Sequence, residues 1–116
     1  MTEKGYKGGL VSRITNKYSG KKYIISTAQE IGKDYWSIIV AQSKFFGLWM
    51  DFKNRLSWIR NSKEKAHKVH YELKGIVENI PEGEWLDRAP NPEPPEGYSK
   101  DAEETFNRKL GIPFKE

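Results

Sequence analysis

Two histidines on one segment are the first candidates for chemistry. His67 and His70 lie three residues apart in a stretch with helical periodicity, so their rings would share one edge of a helix and could together bind a metal ion. Two ligands without the HExxH spacing are a weak signal for zinc. His70 also falls among the apolar positions of that stretch, which is typical of an interior imidazole with hydrogen-bonding partners. We therefore expect no metal and no other cofactor.

Other catalytic arrangements are missing from the sequence. A serine nucleophile needs a base that a third group orients, and the chain has no GxSxG turn and only these two histidines. Without cysteine there is no thiolate chemistry, no disulfide and no cysteine-based zinc site. The Gly8-Gly9 pair lacks the rest of a phosphate-binding loop. From these residues we expect a protein that is not an enzyme.

Cations and aromatic rings interleave in the first part of the chain, which suggests nucleic-acid binding. Lysine and arginine contact phosphates, and aromatic rings stack on unpaired bases. Tyr23 and Trp36 are the candidate stacking surfaces. The alternative is that the lysines solvate turns while the rings face the core, since the chain has neither the RNP aromatic pattern nor a GXXG clamp. The cationic candidates are Arg13, Lys17, Lys21, Lys22, Lys33 and Lys44.

Charge divides the chain into two parts of opposite sign. Residues 1–74 carry fifteen Lys/Arg and six Asp/Glu, residues 75–116 carry five and ten, and all six prolines lie at or after position 81. Such asymmetry indicates an electrostatic partner or an oppositely charged tail. The acidic part can dock on the basic body of its own chain or in the groove of a partner. We favour docking on the chain itself, because that return would complete a small core.

Large apolar side chains supply a second candidate binding surface. The segment 45–58 is rich in Phe and Trp, and strand alternation cannot bury all of these rings on one face. A ring left outside would mark an interface with another protein or with a second copy of the chain. The end of the chain adds an apolar stripe on a predicted short helix. The candidate interface residues are Phe46, Trp49, Phe106, Leu110 and Phe114.

The strands that must position these residues are read from hydrophobic periodicity. The runs 10–15, 22–28 and 35–41 are short and rich in β-branched and aromatic residues, and turns with Gly20 and Gly32 separate them. This pattern predicts an antiparallel meander of three strands.

Residues 45–60 fit helical and strand spacing equally well. Gly47 weakens a helix start, and Lys53-Asn54 could turn a short hairpin, so we predict a fourth strand here.

A capping box opens the clearest helix of the chain. Asn61 is the predicted N-cap with Glu64 three residues on, and Pro81 ends the helix. The whole pattern predicts an α+β fold: a three- to four-stranded antiparallel sheet with one long helix packed across it, and a proline-rich C-terminal extension that ends in a short helix. That last helix is predicted to begin at Ser99 as N-cap.

These predictions divide the chain into four parts. The order is a flexible N-terminal arm, an α+β core domain, an acidic proline-rich linker, and a C-terminal helix with its tail. The corresponding ranges are 1–9, 10–80, 81–98 and 99–116.

The longest apolar run has six residues, far short of the ~18 that a membrane span requires, and the first residues lack the apolar region of a signal peptide. We expect a cytoplasmic protein without membrane contact.

Two functional hypotheses follow. The first is a non-enzymatic interaction protein that binds a protein partner or itself through the aromatic segment and the C-terminal helix. The alternative is a nucleic-acid-binding domain that uses a basic, aromatic-bearing sheet.

Overall fold

The computed structural model describes residues 6–30, 32, 35–44, 49–50 and 55–90. Their elements are the strands β1 (Tyr6–Thr15), β2 (Lys22–Glu30), β3 (Trp36–Lys44), β4 (Trp49–Met50) and β5 (Leu56–Arg60), followed by the helix α1 (Lys63–Asn79), a 3₁₀ turn (Glu82–Glu84) and the short helix α2 (Trp85–Arg88). The α+β fold with a long helix across an antiparallel sheet is confirmed.

The first three strands form the predicted antiparallel meander. β1 pairs with β2 from Thr15 opposite Lys22, and β2 pairs with β3 from Tyr23 opposite Gln42. Gly20 and Gly32 have φ of 75° and 92°, a left-handed conformation that glycine adopts without the steric cost of a Cβ. β1 begins at Tyr6, inside the segment for which the sequence predicts a loose arm.

Two short strands share the fourth position of the sheet, both paired with β3. β4 pairs with the end of β3, where Ser43 lies opposite Met50, and β5 pairs with its beginning, where Trp36 lies opposite Arg60. The prediction of a fourth strand in residues 45–60 is therefore confirmed in its described parts, whereas the Lys53-Asn54 turn lies outside the described residues.

The helix α1 begins one residue later than the capping box predicts. Its N-cap is Ser62, whose hydroxyl accepts a hydrogen bond from the backbone N–H of Lys65, so the prediction of Asn61 was wrong by one position. A serine hydroxyl is as good an acceptor for the first-turn N–H groups as an asparagine side chain. The helix ends at Asn79, just before Pro81, as predicted.

The chain after Pro81 is more ordered than the predicted turn and linker. Residues 82–88 form the 3₁₀ turn and α2, and the indole of Trp85 is buried with its N–H donating to the carbonyl of Ile80 at 2.8 Å. Its ring meets the ring of Tyr23 edge-on, with centroids 4.8 Å apart. Trp85 thus belongs to the core, which the sequence analysis missed. The helix predicted from Ser99 lies outside the described residues.

The core lies between α1 and one face of the sheet. It is built from alternate residues of β2, β3 and β5, with Ile25, Ile38 and Trp58 at its centre, and from the apolar face of α1. The other sheet face, called here the back face, bears the intervening side chains, because successive residues of a strand point to opposite sides. The back face comprises Val11, Arg13, Thr15, Lys22, Ile24, Ser26, Ala28, Ser37, Ile39, Ala41, Ser43, Ser57 and Ile59.

Candidate functional site

The imidazole of His70 is held between two hydroxyl groups. Its Nε2 lies 2.8 Å from Oγ of Ser12, and its Nδ1 lies 2.8 Å from Oγ1 of Thr27. The ring is fully buried. In a neutral imidazole one nitrogen donates and the other accepts, and a hydroxyl can serve either role, so both nitrogens are satisfied. The predicted interior imidazole with hydrogen-bonding partners is confirmed.

Strand pairing places the two hydroxyls under one helical residue. Ser12 lies opposite Ile25 and Leu10 lies opposite Thr27, so Ser12 and Thr27 are diagonal neighbours on the face that α1 covers. His70 projects from α1 between them and joins the helix to the first two strands. Sequence periodicity identifies His70 as interior, but only the register of β1 on β2 identifies its partners.

Burial sets the protonation state of this histidine. Removal from water lowers the pKa of His70 to about 4, and the positive charge of Lys74 and the neighbouring His67 act in the same direction. The ring is neutral near neutral pH. A neutral imidazole beside a serine hydroxyl is the arrangement of a base and a nucleophile, but this imidazole is buried between sheet and helix with both its nitrogens bonded to hydroxyls. We assign it a structural role.

The two histidines do not form a joint metal site. Both nitrogens of His70 are occupied by hydroxyls, and the ring of His67 stands edge-on to the ring of Trp36, with centroids 6.0 Å apart. Within the described ranges, no group of three or more His, Cys, Asp or Glu side chains could hold a metal ion.

A second polar cluster fastens the β1–β2 turn to the end of α1. The side-chain amide of the buried Asn16 donates to the carbonyls of Val77 and Ile80, and its oxygen accepts from the backbone N–H groups of Tyr18 and Ser19. The carbonyls at a helix end have no partner within the helix, so this amide caps α1 from a distant part of the chain.

The carboxylate of Glu82 extends the same cluster. It accepts hydrogen bonds from the hydroxyls of Ser19 and Tyr23, both at 2.7 Å. Partial burial acts to raise the pKa of Glu82, but the bonds from Ser19 and Tyr23 and the charge of Lys21 outweigh it, and the pKa is lowered. The cluster is a structural clamp, since its polar atoms are occupied by one another.

The cationic candidates gather at one end of the sheet. Arg13 and Lys22 lie on neighbouring strands of the back face, Lys17 and Lys21 lie in the β1–β2 turn, and all four are exposed. Lys44, also exposed, ends β3 two residues beyond the partner of Tyr23 and so reaches the same end of the sheet. Lys33 lies outside the described residues.

The two candidate stacking rings are core residues. Tyr23 and Trp36 are both buried under α1, within the main apolar cluster. Neither ring presents a face to a base, so their burial argues against the stacking role that the sequence suggests. The alternative interpretation of the aromatic residues, that they face the core, fits both positions.

The candidate interface residues lie almost entirely elsewhere. Phe46, Phe106, Leu110 and Phe114 are outside the described residues, and of Trp49 the structure describes only the backbone, in β4 opposite Lys44.

The structure draws attention instead to a surface that the sequence analysis did not single out, the outer edge of β1. Within the described part of the chain, β1 pairs only with β2, and its back-face side chains Val11, Arg13 and Thr15 are exposed. The alternation of these residues with Leu10, Ser12 and Ile14 in the sequence does indicate a strand with one exposed face. Alternation identifies a strand but not its place at the edge of a sheet, which depends on pairing between distant segments.

Comparison of the chain with protein-family models, curated proteins and solved structures finds no match. Among the helices of the described ranges, none has the length and apolar character needed to cross a membrane.

Proposed function

We propose that this protein is a small non-enzymatic interaction protein that associates with a second copy of itself through the outer edge of β1. The single observation that carries the proposal is the ten-residue length of this strand, which pairs on one side only within the described residues. In a strand, alternate residues direct their N–H and C=O groups to the same neighbour, so an edge strand offers a row of free donors and acceptors.

Only part of β1 is suited to pairing with another strand. The register on β2 shifts between Lys7 and Leu10, across Gly8 and Gly9, and such an irregularity bends an edge away from regular pairing. From Leu10 to Thr15 the pairing is regular. This straight run of six residues is long enough for a strand of another chain to add to the sheet.

A second copy fits this edge better than an unrelated strand does, because an antiparallel edge is complementary to itself under two-fold symmetry. If the symmetry axis passes through Ser12, Val11 of one copy lies opposite Arg13 of the other, and Leu10 lies opposite Ile14. This register keeps the two Arg13 side chains out of direct opposition, whereas an axis through Arg13 would oppose two like charges.

The proposal is tested by light scattering on a concentration series of the full chain and two charge variants. Val11→Glu places a carboxylate opposite Arg13 of the second copy and should tighten the dimer by about 2- to 30-fold, since each cross-strand ion pair contributes roughly 0.2–1 kcal/mol and symmetry supplies two. Val11→Lys opposes like charges and should weaken it. Val11 is 59% exposed, and Leu86 on α2 is 61% exposed, so Leu86→Glu and Leu86→Lys are matched controls that should leave the dimer unchanged.

If Val11→Glu tightens the dimer and Val11→Lys weakens it, the result supports the register with its axis at Ser12. Loss of an apolar side chain alone would weaken the dimer in both variants. Equal weakening by Val11→Glu and Val11→Lys would contradict the Ser12 axis. A chain that stays monomeric up to millimolar concentration would contradict self-association and leave the edge of β1 for a strand of another protein.

A nucleic-acid-binding role is the second candidate, and the gathering of exposed cations at one end of the sheet favours it. Binding to phosphates releases counterions and therefore weakens steeply as salt rises. The double variant Lys21→Glu/Lys22→Glu should abolish such binding, while Lys63→Glu/Lys65→Glu on the exposed start of α1 should have a smaller effect. Binding that is insensitive to salt, or equal loss in both variants, would contradict a site at this end.

A further inference from the structure

Part of the back face is buried although α1 covers the opposite face of the sheet. Ile24 of β2, Ala41 of β3 and Ile59 of β5 are only 4%, 0% and 2% exposed, and all three point away from the core under α1. On β1, at the other side of the same face, Val11 is 59% exposed. Buried back-face residues thus occur on β5, β3 and β2, whereas the back-face side chains of β1 are exposed.

The described chain ends beside the strand at which this burial begins. The indole N–H of Trp58, on β5, donates to the carbonyl of Pro90 at 2.7 Å. The 26 residues from 91 to 116 continue from this point. Pro90, the last described residue, therefore lies at the β5 side of the sheet, away from β1.

We infer that the C-terminal segment turns around the β5 edge and packs across the back face over β5, β3 and β2. The reach is sufficient, because residues 91–98 include three prolines and an extended proline-rich chain advances about 3.1 Å per residue, against a layer thickness of roughly 10 Å. A helix over residues 99–110, at about 1.5 Å per residue, would be about 18 Å long, enough to cross these three strands, which lie about 4.8 Å apart.

The side chains on both sides are complementary in shape. Where β2 pairs with β3, every back-face pair contains a small residue, since Ala41 lies opposite Ile24, Ser26 opposite Ile39 and Ala28 opposite Ser37. Such a strip leaves room for large side chains from an overlying element. The segment supplies a stripe of them at helical spacing, with Phe106 and Leu110 four residues apart.

The charges are complementary as well. The predicted helix begins with Asp101, Glu103 and Glu104, and the segment as a whole has six acidic and four basic residues, a net charge of −2. The back face contributes Arg13 and Lys22, both exposed. Opposite charges favour the docked state most strongly at low salt. The inference does not depend on self-association, because the buried part of the back face stops short of Val11.

The test uses paramagnetic broadening of isoleucine methyl resonances in the full chain. Since the sequence has no cysteine, Glu104→Cys gives one attachment point for a nitroxide, on the side of the predicted helix away from Phe106. Ile24 and Ile39 point to the back face, whereas their neighbours Ile25 and Ile38 point to the core under α1 and serve as matched controls. We expect several-fold stronger broadening of Ile24, Ile39 and Ile59 than of Ile25 and Ile38.

A second variant and a mixing experiment make the result specific. Adding Phe106→Asp to the labelled chain should abolish the broadening while the dispersed methyl spectrum of the folded body persists. A mixture of nitroxide-bearing chains without isotope and isotope-labelled chains without nitroxide should show much weaker broadening between copies than arises within the labelled chain, because in a dimer paired through β1 a second copy lies farther from the nitroxide. Absence of broadening in the folded labelled chain, stronger broadening of Ile25 and Ile38, or broadening between copies as strong as within one chain would each overturn the inference.

Discussion

The side-chain amide of Asn16 donates to the carbonyl oxygen of Val77 at 2.7 Å, across 61 residues of sequence. This bond, with a second one to the carbonyl of Ile80, gives the end of α1 its hydrogen-bonding partners and holds the β1–β2 turn in place. The backbone N–H of Lys17 adds a bond to the carbonyl of Glu78. The turn that carries part of the cationic cluster is therefore fixed to the helix rather than free to adapt.

Loss of the Asn16 side chain should destabilise the fold strongly. Asn16→Ala leaves the carbonyl of Val77 and the N–H groups of Tyr18 and Ser19 without this partner, whereas the carbonyl of Ile80 keeps its bond from Trp85, and each buried group left unsatisfied costs about 1–3 kcal/mol. We expect the free energy of unfolding in urea to fall by at least ~3 kcal/mol. Asn79→Ala removes an exposed amide with one bond, to the carbonyl of Gly75, and is the matched control with a change within about 0.5 kcal/mol. Similar losses in the two variants would contradict the clamp.

Acid should weaken the fold through His70. Its folded pKa of about 4 lies below its ordinary 6.5, so the unfolded chain takes up the proton first and stability falls as pH drops from 6.5 towards 4. Between neutral pH and pH 4.5 the free energy of unfolding should fall by about 2 kcal/mol through His70, and the lowered pKa of Glu82 adds a smaller loss of the same sign at the acid end of this range. His70→Gln should remove most of this slope and His67→Gln should retain it. A slope that persists in His70→Gln would show that another group is responsible.

The hydroxyl partners of His70 should contribute measurably to stability. Thr27→Val keeps the shape of the side chain but leaves Nδ1 of the buried ring without a partner, which should cost about 1–3 kcal/mol in chemical denaturation. Thr15→Val, at an exposed position of β1, should change stability by less than about 0.5 kcal/mol. If Thr27→Val is as stable as the parent chain, the hydrogen bond to His70 makes no net contribution to the free energy of unfolding.

Trp85 should prove to be part of the core. Trp85→Ala removes a buried ring that contacts Tyr23 and should cost about 3–5 kcal/mol of unfolding free energy. Leu86→Ala, next to it but 61% exposed, should change little. Equal and small effects at both positions would place the boundary of the folded body at Pro81, where the sequence alone suggests it.

Much of the fold is predictable because it depends on local pattern. Each of the correctly predicted features depends on residues that are close together in sequence. They are the alternation in 10–15, 22–28 and 35–41, the glycines with positive φ, and the apolar face of α1. His70 was identified as interior for the same reason. Trp85 was missed because one helical turn is too short to show periodicity.

The parts that escaped prediction depend on distant segments meeting. In the sequence Asn16 looks like an ordinary turn residue, and its role depends on the end of α1 lying beside the turn. The hydroxyls of Ser12 and Thr27 become partners of His70 only through the register of β1 on β2. Which strand lies at the edge of the sheet is decided in the same way. The burial of Tyr23 and Trp36 under α1 escaped prediction for the same reason, since composition does not say which face of a sheet a helix will cover.

Amide hydrogen exchange along β1, measured at low and high protein concentration, tests self-association most directly. If two copies pair through this edge, alternate amides between Leu10 and Thr15 gain protection as concentration rises, while amides of α1 such as that of Leu73 keep the same protection. The amides that already bond to β2 should not change, so the gain should follow a two-residue period. Exchange along β1 that is independent of concentration, or a uniform gain without this period, would contradict the proposed interface.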